Sequence, residues 1–456
     1  MQPLPKEFEE QMKRLLGEAG FFAYLDALNQ PYTRALRVNL LLRPDGTPPC
    51  PIEGLGAPVP WARGAYFVEG DARPGLSPLH EGGLFYMQEP SALTAVTALD
   101  PQPGERVLDL CAAPGGKSTQ IAALMAGQGL LVCNEPVPSR AQILSRNVER
   151  MGVRNAVVVS ALPDALAPRF PAFFDRILVD APCSGEGMFR RQPEARDEWD
   201  ADSPRRCADR QMEILEQAAK MLRPGGTMVY STCTFNDTEN EGVLKRFLAL
   251  HPEFMPEPFA LPGLPEAKDG FLHLYPHKMR GEGHFVSRLK KAADSDEPGA
   301  VVDAAPKKKE RARAASPSKN KAPAAVALPD VFSSAFTPER LYAAGDALWM
   351  LPEGIAIEQL HGLRVLRTGL LLAHAEGRRS EPDHALAMAL RPEEAARIAN
   401  LTQEQALEYQ AGETLELGDL PGGYTLLCCE GVSLGWGKQA NGMMKNHYPK
   451  GLRRRG

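Results

Sequence analysis

The sequence predicts an α/β protein built on a doubly wound parallel sheet of the Rossmann type, preceded by a small α+β domain and followed by a β-rich domain. Three observations predict it. Between residues 81 and 290, near-continuous apolar runs alternate with helical stretches, the pattern of parallel strands covered on both faces by crossover helices. The first of these runs passes through a glycine-containing turn directly into a helix, as strands that deliver ligands to a helix N-terminus do. A chain of 456 residues also exceeds what one compact core supports, so two to four domains are expected.

Residues 6–29 place Phe8, Met12, Leu15 and Leu16 at helical spacing, which predicts an amphipathic helix. RALRVNLLL and RGAYFVEG read as short strands between Pro/Gly turns, so residues 1–80 form an α+β module on this reading. Within 81–290 the strands are RVLDLCA, LLVCNE, AVVVSA, RILVDAPC and GTMVYSTC, separated by helices such as STQIAALMA and SRAQILSRNVERM. Residues 291–330 are poor in large apolar side chains and rich in Ala, Pro, Ser and Lys. They cannot bury enough surface to offset their chain entropy and read as a flexible linker. Apolar, glycine-containing runs return after Val331, so residues 331–456 read as a further domain.

Hydrophobic content of 43% and charged content of 24% exclude a disordered or collagenous chain. The net charge of -5 does not suggest a nucleic-acid partner, but its distribution does. Beyond Glu430 the chain carries Lys438, Lys445, Lys450, Arg453, Arg454 and Arg455 with no acid, interleaved with Trp436 and Tyr448. Such a surface can neutralise phosphates while presenting planar faces to bases. The first residues are acidic where a signal peptide is basic and apolar, and no run is long enough to span a bilayer. A cytoplasmic protein with no membrane partner is expected. Eight cysteines without a CxxC pair suggest free thiols rather than a disulfide framework or zinc site. Among them Cys50, Cys133, Cys207, Cys428 and Cys429 read as small buried hydrophobes. His273 and His277 are separated by Tyr275 and Pro276, so no metal is expected.

The turn after the first central strand is Cys111-Ala112-Ala113-Pro114-Gly115-Gly116-Lys117, a place for a nucleotide-like ligand. Glu135 closes the second strand at the distance where an acid reaches a ribose hydroxyl pair, and Arg140 in the next helix is added to this set. Glycine kept for packing alone is the plainer alternative. A P-loop nucleotidase is the sharper one, since Gly116-Lys117-Ser118 resembles the end of its phosphate loop; Cys111 stands where that loop needs glycine. Asp180 and Cys183 end the fourth strand and Cys233 ends the fifth. If those strands are neighbours, about 4.8 Å apart, both thiols and a carboxylate share one crevice with the ligand. A thiolate is the side chain best suited to add to carbon 6 of a pyrimidine and make carbon 5 nucleophilic, while Asp180 could donate a proton at the N3 edge. On geometry alone either cysteine could be the nucleophile.

At these residues the sequence resembles the NOL1/NOP2/Sun family of RNA cytosine-5 methyltransferases. The resemblance runs through YMQEPSAL, DLCAAPGGKSTQ, DAPCSGEGMFR, LRPGGTMVYSTCTFNDTENE and GEGHFVSRLKK. It implies an S-adenosylmethionine-dependent Rossmann-type methyltransferase domain, with Cys233 as nucleophile and Cys183 assisting product release. It further implies Asp180 at the site, Cys111 through Lys117 as the cofactor loop, and Glu135 as the ribose acid. The family's acid after the third strand is matched only loosely, since Asp164 is close but displaced. Arg37 and Asn39 resemble part of a substrate-framing N-terminal module. The C-terminal GWGKQANGMMKNHYPKGLR resembles the PUA-like RNA-binding domain of the bacterial ribosomal RNA branch, with Trp436, Lys438, Lys445 and Lys450 as RNA contacts. The expectation is methylation of cytosine carbon 5 in small-subunit (16S) ribosomal RNA or its particle by a monomer. The alternatives are a transfer-RNA substrate or a noncatalytic ribosome-assembly factor.

Overall fold

The amphipathic start and the apolar runs set the scaffold around the cofactor loop. The structure, a computed structural model, describes residues 3–294, 326–376 and 379–453. Helix α1 (Lys6–Leu28) is two helical pieces meeting at Gly17, whose φ of +69° suits a residue without Cβ. Phe8, Met12, Phe21, Tyr24 and Leu28 on its buried face pack against Phe189, Trp199, Phe235 and Tyr275 of the central domain. Leu15 points outward instead.

Strands β1 (Arg34–Val38), β2 (Leu55–Pro58), β3 (Ala65–Val68) and β4 (Phe85–Gln88) form an antiparallel sheet in the order β2-β3-β1-β4. The expected boundary at residue 80 is corrected by this sheet. Strand β4 pairs with β1, Leu36 opposite Met87, so the N-terminal module runs on to Gln88.

The central domain follows as α2 (Leu93–Leu99), β5 (Arg106–Asp109), α3 (Gly116–Leu124), β6 (Leu130–Asn134), α4 (Pro138–Arg150), β7 (Ala156–Ser160) and β8 (Phe174–Asp180). It continues as α5 (Ser203–Met221), β9 (Leu222–Thr232), α6 (Glu241–Leu250), β10 (Phe254–Pro256), β11 (Phe271–Leu274) and β12 (His284–Lys291). The five strands read from the sequence are β5 to β9, and they lie parallel in the order β9-β8-β5-β6-β7. Their side chains alternate between two apolar layers. Val107, Leu131, Val158, Leu178 and Val229 face α2 and α3, while Leu108, Val132, Val157, Ile177 and Met228 face α5 and α6. The strand order reverses between β8 and β5, which opens a crevice at their carboxyl ends. Strand β12 extends the sheet antiparallel to β9, with Phe285 opposite Thr232.

Lys291 ends β12 rather than starting a linker. Most of the expected linker, residues 295–325, lies outside the described residues, as do Arg454 and Arg455. The rest comprises β13 (Leu341–Ala344), β14 (Ala347–Met350), β15 (Arg364–Arg367), β16 (Leu370–Glu376), β17 (Arg379–Pro382) and α7 (His384–Ala389). It ends with β18 (Ile398–Asn400), α8 (Gln403–Ala411), β19 (Gly423–Cys429), β20 (Val432–Ala440) and β21 (Met443–Asn446).

The single expected C-terminal domain is corrected in two respects. Its strands form two sheets, β13-β14-β16-β17 and β18-β19-β20-β21, and β15 belongs to neither. Strand β15 pairs antiparallel with β7, Val365 opposite Val159, as an edge of the central sheet, with Ile355 and Leu360 in the apolar layer beside it. Leu401, Tyr409, Leu427 and Leu434 in turn share a core with Leu36, Val38, Leu79 and Phe85 of the N-terminal module. Among the described residues no helix is long and apolar enough to cross a membrane.

Candidate active site

The cofactor loop is held in place from behind. Leu110 N donates to Leu178 O on β8 and Ala112 N to Asn134 O on β6, which pins the loop across the reversal point. Asn134 Nδ2 donates back to Leu110 O at 3.1 Å, Arg140 Nη2 to Ala113 O at 3.1 Å and Asn147 Nδ2 to Pro114 O at 2.9 Å. Gly115 has φ +113°, and a Cβ there would meet Leu144 and Asn147 at 3.2 and 3.3 Å. A Cβ on Gly116 would come within 3.2 Å of the Tyr86 ring. These glycines let the backbone lie tight between α4 and β4 and leave the amino end of α3 facing the crevice.

A cavity of about 350 Å³ opens at this point. Cys111, Ala112, Ala113, Pro114, Gly116 and Lys117 line it, together with Asp180, Cys233 and His284. Gln88 Oε1 and Asp109 Oδ1 are buried beside the loop without a hydrogen-bond partner. Burial pushes the Asp109 carboxyl up to about 7, against the Ser118 hydroxyl that donates to its other oxygen. Unmet polar atoms, a helix amino end and a glycine turn fit a polar nucleoside ligand such as S-adenosylmethionine.

Glu135 and Arg140 do not line this cavity and stand one strand away at the end of β6. The Glu135 carboxylate accepts from Val137 N at 2.9 Å and lies 3.4 Å from Arg140 Nη1, leaving lone pairs for a ribose. Glu135→Ala is expected to weaken S-adenosylmethionine binding by roughly 10- to 150-fold, equivalent to about 1.5–3 kcal/mol for a charge-assisted hydrogen bond, with RNA affinity unchanged. A calorimetric titration returning wild-type cofactor affinity refutes the role. Asp164 sits exposed on a single helical turn, away from the cavity.

Neighbouring strands bring the two cysteines together. Asp180 of β8 stands opposite Ser231 of β9, and beyond these positions Cys183 Sγ and Cys233 Sγ lie 3.3 Å apart. Cys233 lines the cavity; Cys183 lies behind it. Its hydrogen bond with Cys233, then burial, push the Cys183 thiol well up. A buried polar network fixes both loops. Glu239 accepts from Ser184 N at 3.0 Å, Gln211 Nε2 at 2.8 Å and Asn236 Nδ2 at 2.8 Å. Glu186 accepts from Phe235 N at 2.7 Å and from Gln11 Nε2 of α1 at 2.9 Å. Burial pushes the Glu239 carboxyl up.

Asp180 is not the proton donor expected from the sequence. Burial works to raise its carboxyl, but the Lys117 ammonium at 2.8 Å and the nearby His284 outweigh it and hold the group well below the usual carboxylate range. Ser231 Oγ donates to its other oxygen at 2.8 Å. Asp180 is therefore an acceptor.

The N-terminal RNA contacts are also corrected. Arg37 is 1% exposed and donates to Thr119 Oγ1 at 2.9 Å and Gly116 O at 3.3 Å, so it braces the cofactor loop. Asn39, equally buried, ties Gly83 O to Met151 O. Trp436 is 2% exposed with its indole N–H on Asp383 O, and Tyr448 is buried too, so neither ring offers a face to a base. Lys445 and Lys450 are exposed and Lys438 is part-exposed; Lys438 and Lys445 stand opposite each other on β20 and β21. Cys133, Cys428 and Cys429 are buried, while Cys50 and Cys207 are only partly so.

Sequence reasoning assigned no role to Tyr86, Gln88, Glu89, Arg191, Glu282 or His284, which also line the cavity. They come from β4, from the segment after β8 and from the approach to β12. The strings YMQEP and GEGHF signalled these segments without identifying which side chains turn inward.

Residues 96–290 match the family described as 16S rRNA methyltransferase RsmB/F, and residues 4–90 the N-terminal domain of 16S rRNA methyltransferase RsmF. Residues 328–390 match the RsmF rRNA methyltransferase first C-terminal domain, and residues 396–454 the methyltransferase RsmF PUA domain. The chain is 36% identical over 477 residues to ribosomal RNA small subunit methyltransferase F of Klebsiella pneumoniae (strain 342), covering 99% of this chain and 97% of that one. It is 34% identical over 479 residues to the protein so named from Erwinia tasmaniensis, with 99% and 97% covered. A solved structure of a methyltransferase homologue from Pyrococcus horikoshii is 30% identical, with a TM-score of 0.54 over 63% of this chain and 95% of that one.

Proposed function

The chain belongs to the 16S rRNA methyltransferase RsmB/F family, and from that premise we propose that it methylates carbon 5 of a cytosine in small-subunit ribosomal RNA through covalent addition of Cys233. The observation that carries this reading is the placement of Cys233, Asp180 and Lys117 on one cavity wall beside the loop Cys111–Lys117, with Cys183 directly behind the nucleophile. S-adenosylmethionine, when bound, supplies an electrophilic methyl group. The chain's own residues make the base receptive to it. Lys117 places a positive charge on the cavity that Cys233 also lines. The thiolate adds to carbon 6, and the ionised Asp180 accepts a hydrogen bond from the exocyclic amine. Cys183, still protonated, stands next to the sulfur that must later leave.

RNA is the partner this reading requires. Lys438 and Lys445, side by side with like charge, and Lys450 supply a surface that phosphate would relieve. We place the reaction in the cytoplasm and the enzyme as a monomer acting on the 16S rRNA or its particle. The decisive measurement is bisulfite sequencing of cellular RNA with and without the gene. One 16S cytosine is expected to lose its protection from conversion in the deletion. Loss confined to transfer RNA would replace the substrate, and no change in any RNA would favour a noncatalytic assembly role.

A further inference from the structure

The mechanism above leaves the target ring without a proton donor. When sulfur adds to carbon 6, the electron pair of the 5,6 double bond moves to a new bond between carbons 5 and 4, and the former C4=N3 pair collects on N3. That nitrogen must take up a proton for carbon 5 to become nucleophilic. Asp180 is ionised and cannot give one, and Lys117 is committed to Asp180 at 2.8 Å.

We propose that His284 is the proton donor to N3 of the target cytosine. It is the first residue of β12, and since Phe285 pairs with Thr232, His284 lies beside Cys233 across the strand interface. Its imidazole is 3% exposed and lines the same cavity as Cys233. Nε2 points toward Asp180, 3.5 Å from Oδ1, and has no hydrogen-bond partner. A buried ring nitrogen held only by a 3.5 Å contact to a carboxylate, with no hydrogen bond made, is available to meet a partner in the substrate. Titratable and charged groups on the same cavity wall are Asp180 from β8, Cys111 and Lys117 from the loop and α3, and Cys233 after β9. Arg191, Tyr86 and Glu89 also contribute, and Glu282 comes from its own loop.

The step balances within the site. The C6–S bond forms as the His284 proton passes to N3, leaving neutral imidazole. After methyl transfer the carbon 5 proton passes to solvent water, its electron pair re-forms the 5,6 double bond as the C6–S bond breaks to return the thiolate, and the N3 proton returns to His284. This inference rests on Cys233 being the nucleophile.

The test uses the full-length protein with an unmethylated 16S rRNA transcript in single turnover across a range of pH. Wild type is expected to give a bell-shaped profile, rising as the thiolate forms and falling as His284 loses its proton. His284→Gln should lower the rate by roughly 10²–10⁴-fold and lose the alkaline limb, with calorimetric affinities for S-adenosylmethionine and RNA unchanged. In a Cys183→Ala background, His284→Gln should slow formation of the covalent RNA adduct by the same factor; His284→Asn serves if the glutamine variant folds poorly. An unchanged adduct rate and a retained alkaline limb overturn the donor role alone. Equal loss of cofactor affinity and rate overturns it too, since His284 would then shape the loop. If Cys183→Ala forms no adduct while Cys233→Ala does, the nucleophile assignment falls and the donor role falls with it.

Discussion

Cys233→Ala is expected to abolish both methyl transfer and covalent attachment to RNA, while Cys183→Ala should methylate once and remain attached. The two side chains lie 3.3 Å apart, so fold geometry alone does not separate them. What separates them is access to the cavity and the raised thiol of Cys183. Cys233 lines the cavity, whereas Cys183 lies behind it with its thiol pushed up by the hydrogen bond to Cys233 and by burial. Removing the nucleophile leaves nothing to add to carbon 6, and a loss on the order of 10⁶-fold is the scale for deleting a covalent nucleophile outright. Removing Cys183 spares addition but takes away the neighbour needed to resolve the intermediate. The trapped species should survive denaturing electrophoresis and disappear with ribonuclease. Adduct in Cys233→Ala and none in Cys183→Ala would reverse the roles.

The second large effect concerns the C-terminal region. A chain ending at residue 330 is expected to lose cofactor binding as well as RNA binding, because the truncation strips the central sheet of its edge. Strand β15 covers β7, and Ile355 and Leu360 are buried in the apolar layer beside it. Two such side chains contribute roughly 3–6 kcal/mol when buried, a large share of a typical stability of about 5–15 kcal/mol. Arg367 also pairs with Glu149 and Arg154 with Glu394, so two ion pairs lose one partner each. The bare β7 edge would then be open to pairing with another chain. The expected readouts are a lowered thermal midpoint, aggregation and no heat on titration with S-adenosylmethionine. A soluble truncated chain with wild-type cofactor affinity would show that the central sheet needs no edge strand.

The parallel core was legible because β5 to β9 are buried on both faces and so read as unbroken apolar runs. The loop was legible because Gly115 and Gly116 stand where strand passes to helix. Pairing of Cys183 with Cys233 followed from adjacent strands once β8 and β9 were neighbours. What escaped was set by long-range partners. RVLR is too short and too mixed to announce β15, and β7 lies far upstream in the chain. Arg37 read as part of a substrate-framing module, but the carbonyl of Gly116 and the hydroxyl of Thr119 receive its guanidinium in the interior. Trp436 looked like a base platform because basic residues surround it in sequence; in space its ring packs with Leu372 and Leu386. The ionised state of Asp180 depends on Lys117, which no local pattern connects to it.

The shared core of the first and last sheets bears on how the protein is made. Leu36, Val38 and Phe85 leave the ribosome well before the side chains that finish burying them, Leu401, Tyr409, Leu427 and Leu434. The N-terminal module must therefore wait with part of its apolar face uncovered until residues 401–434 have emerged. Arg37 and Asn39, which brace the cofactor loop and the end of α4, belong to that waiting module. The bracing of the cofactor loop is thus coupled to strands synthesised long after the loop itself, and catalytic competence is expected to follow their arrival.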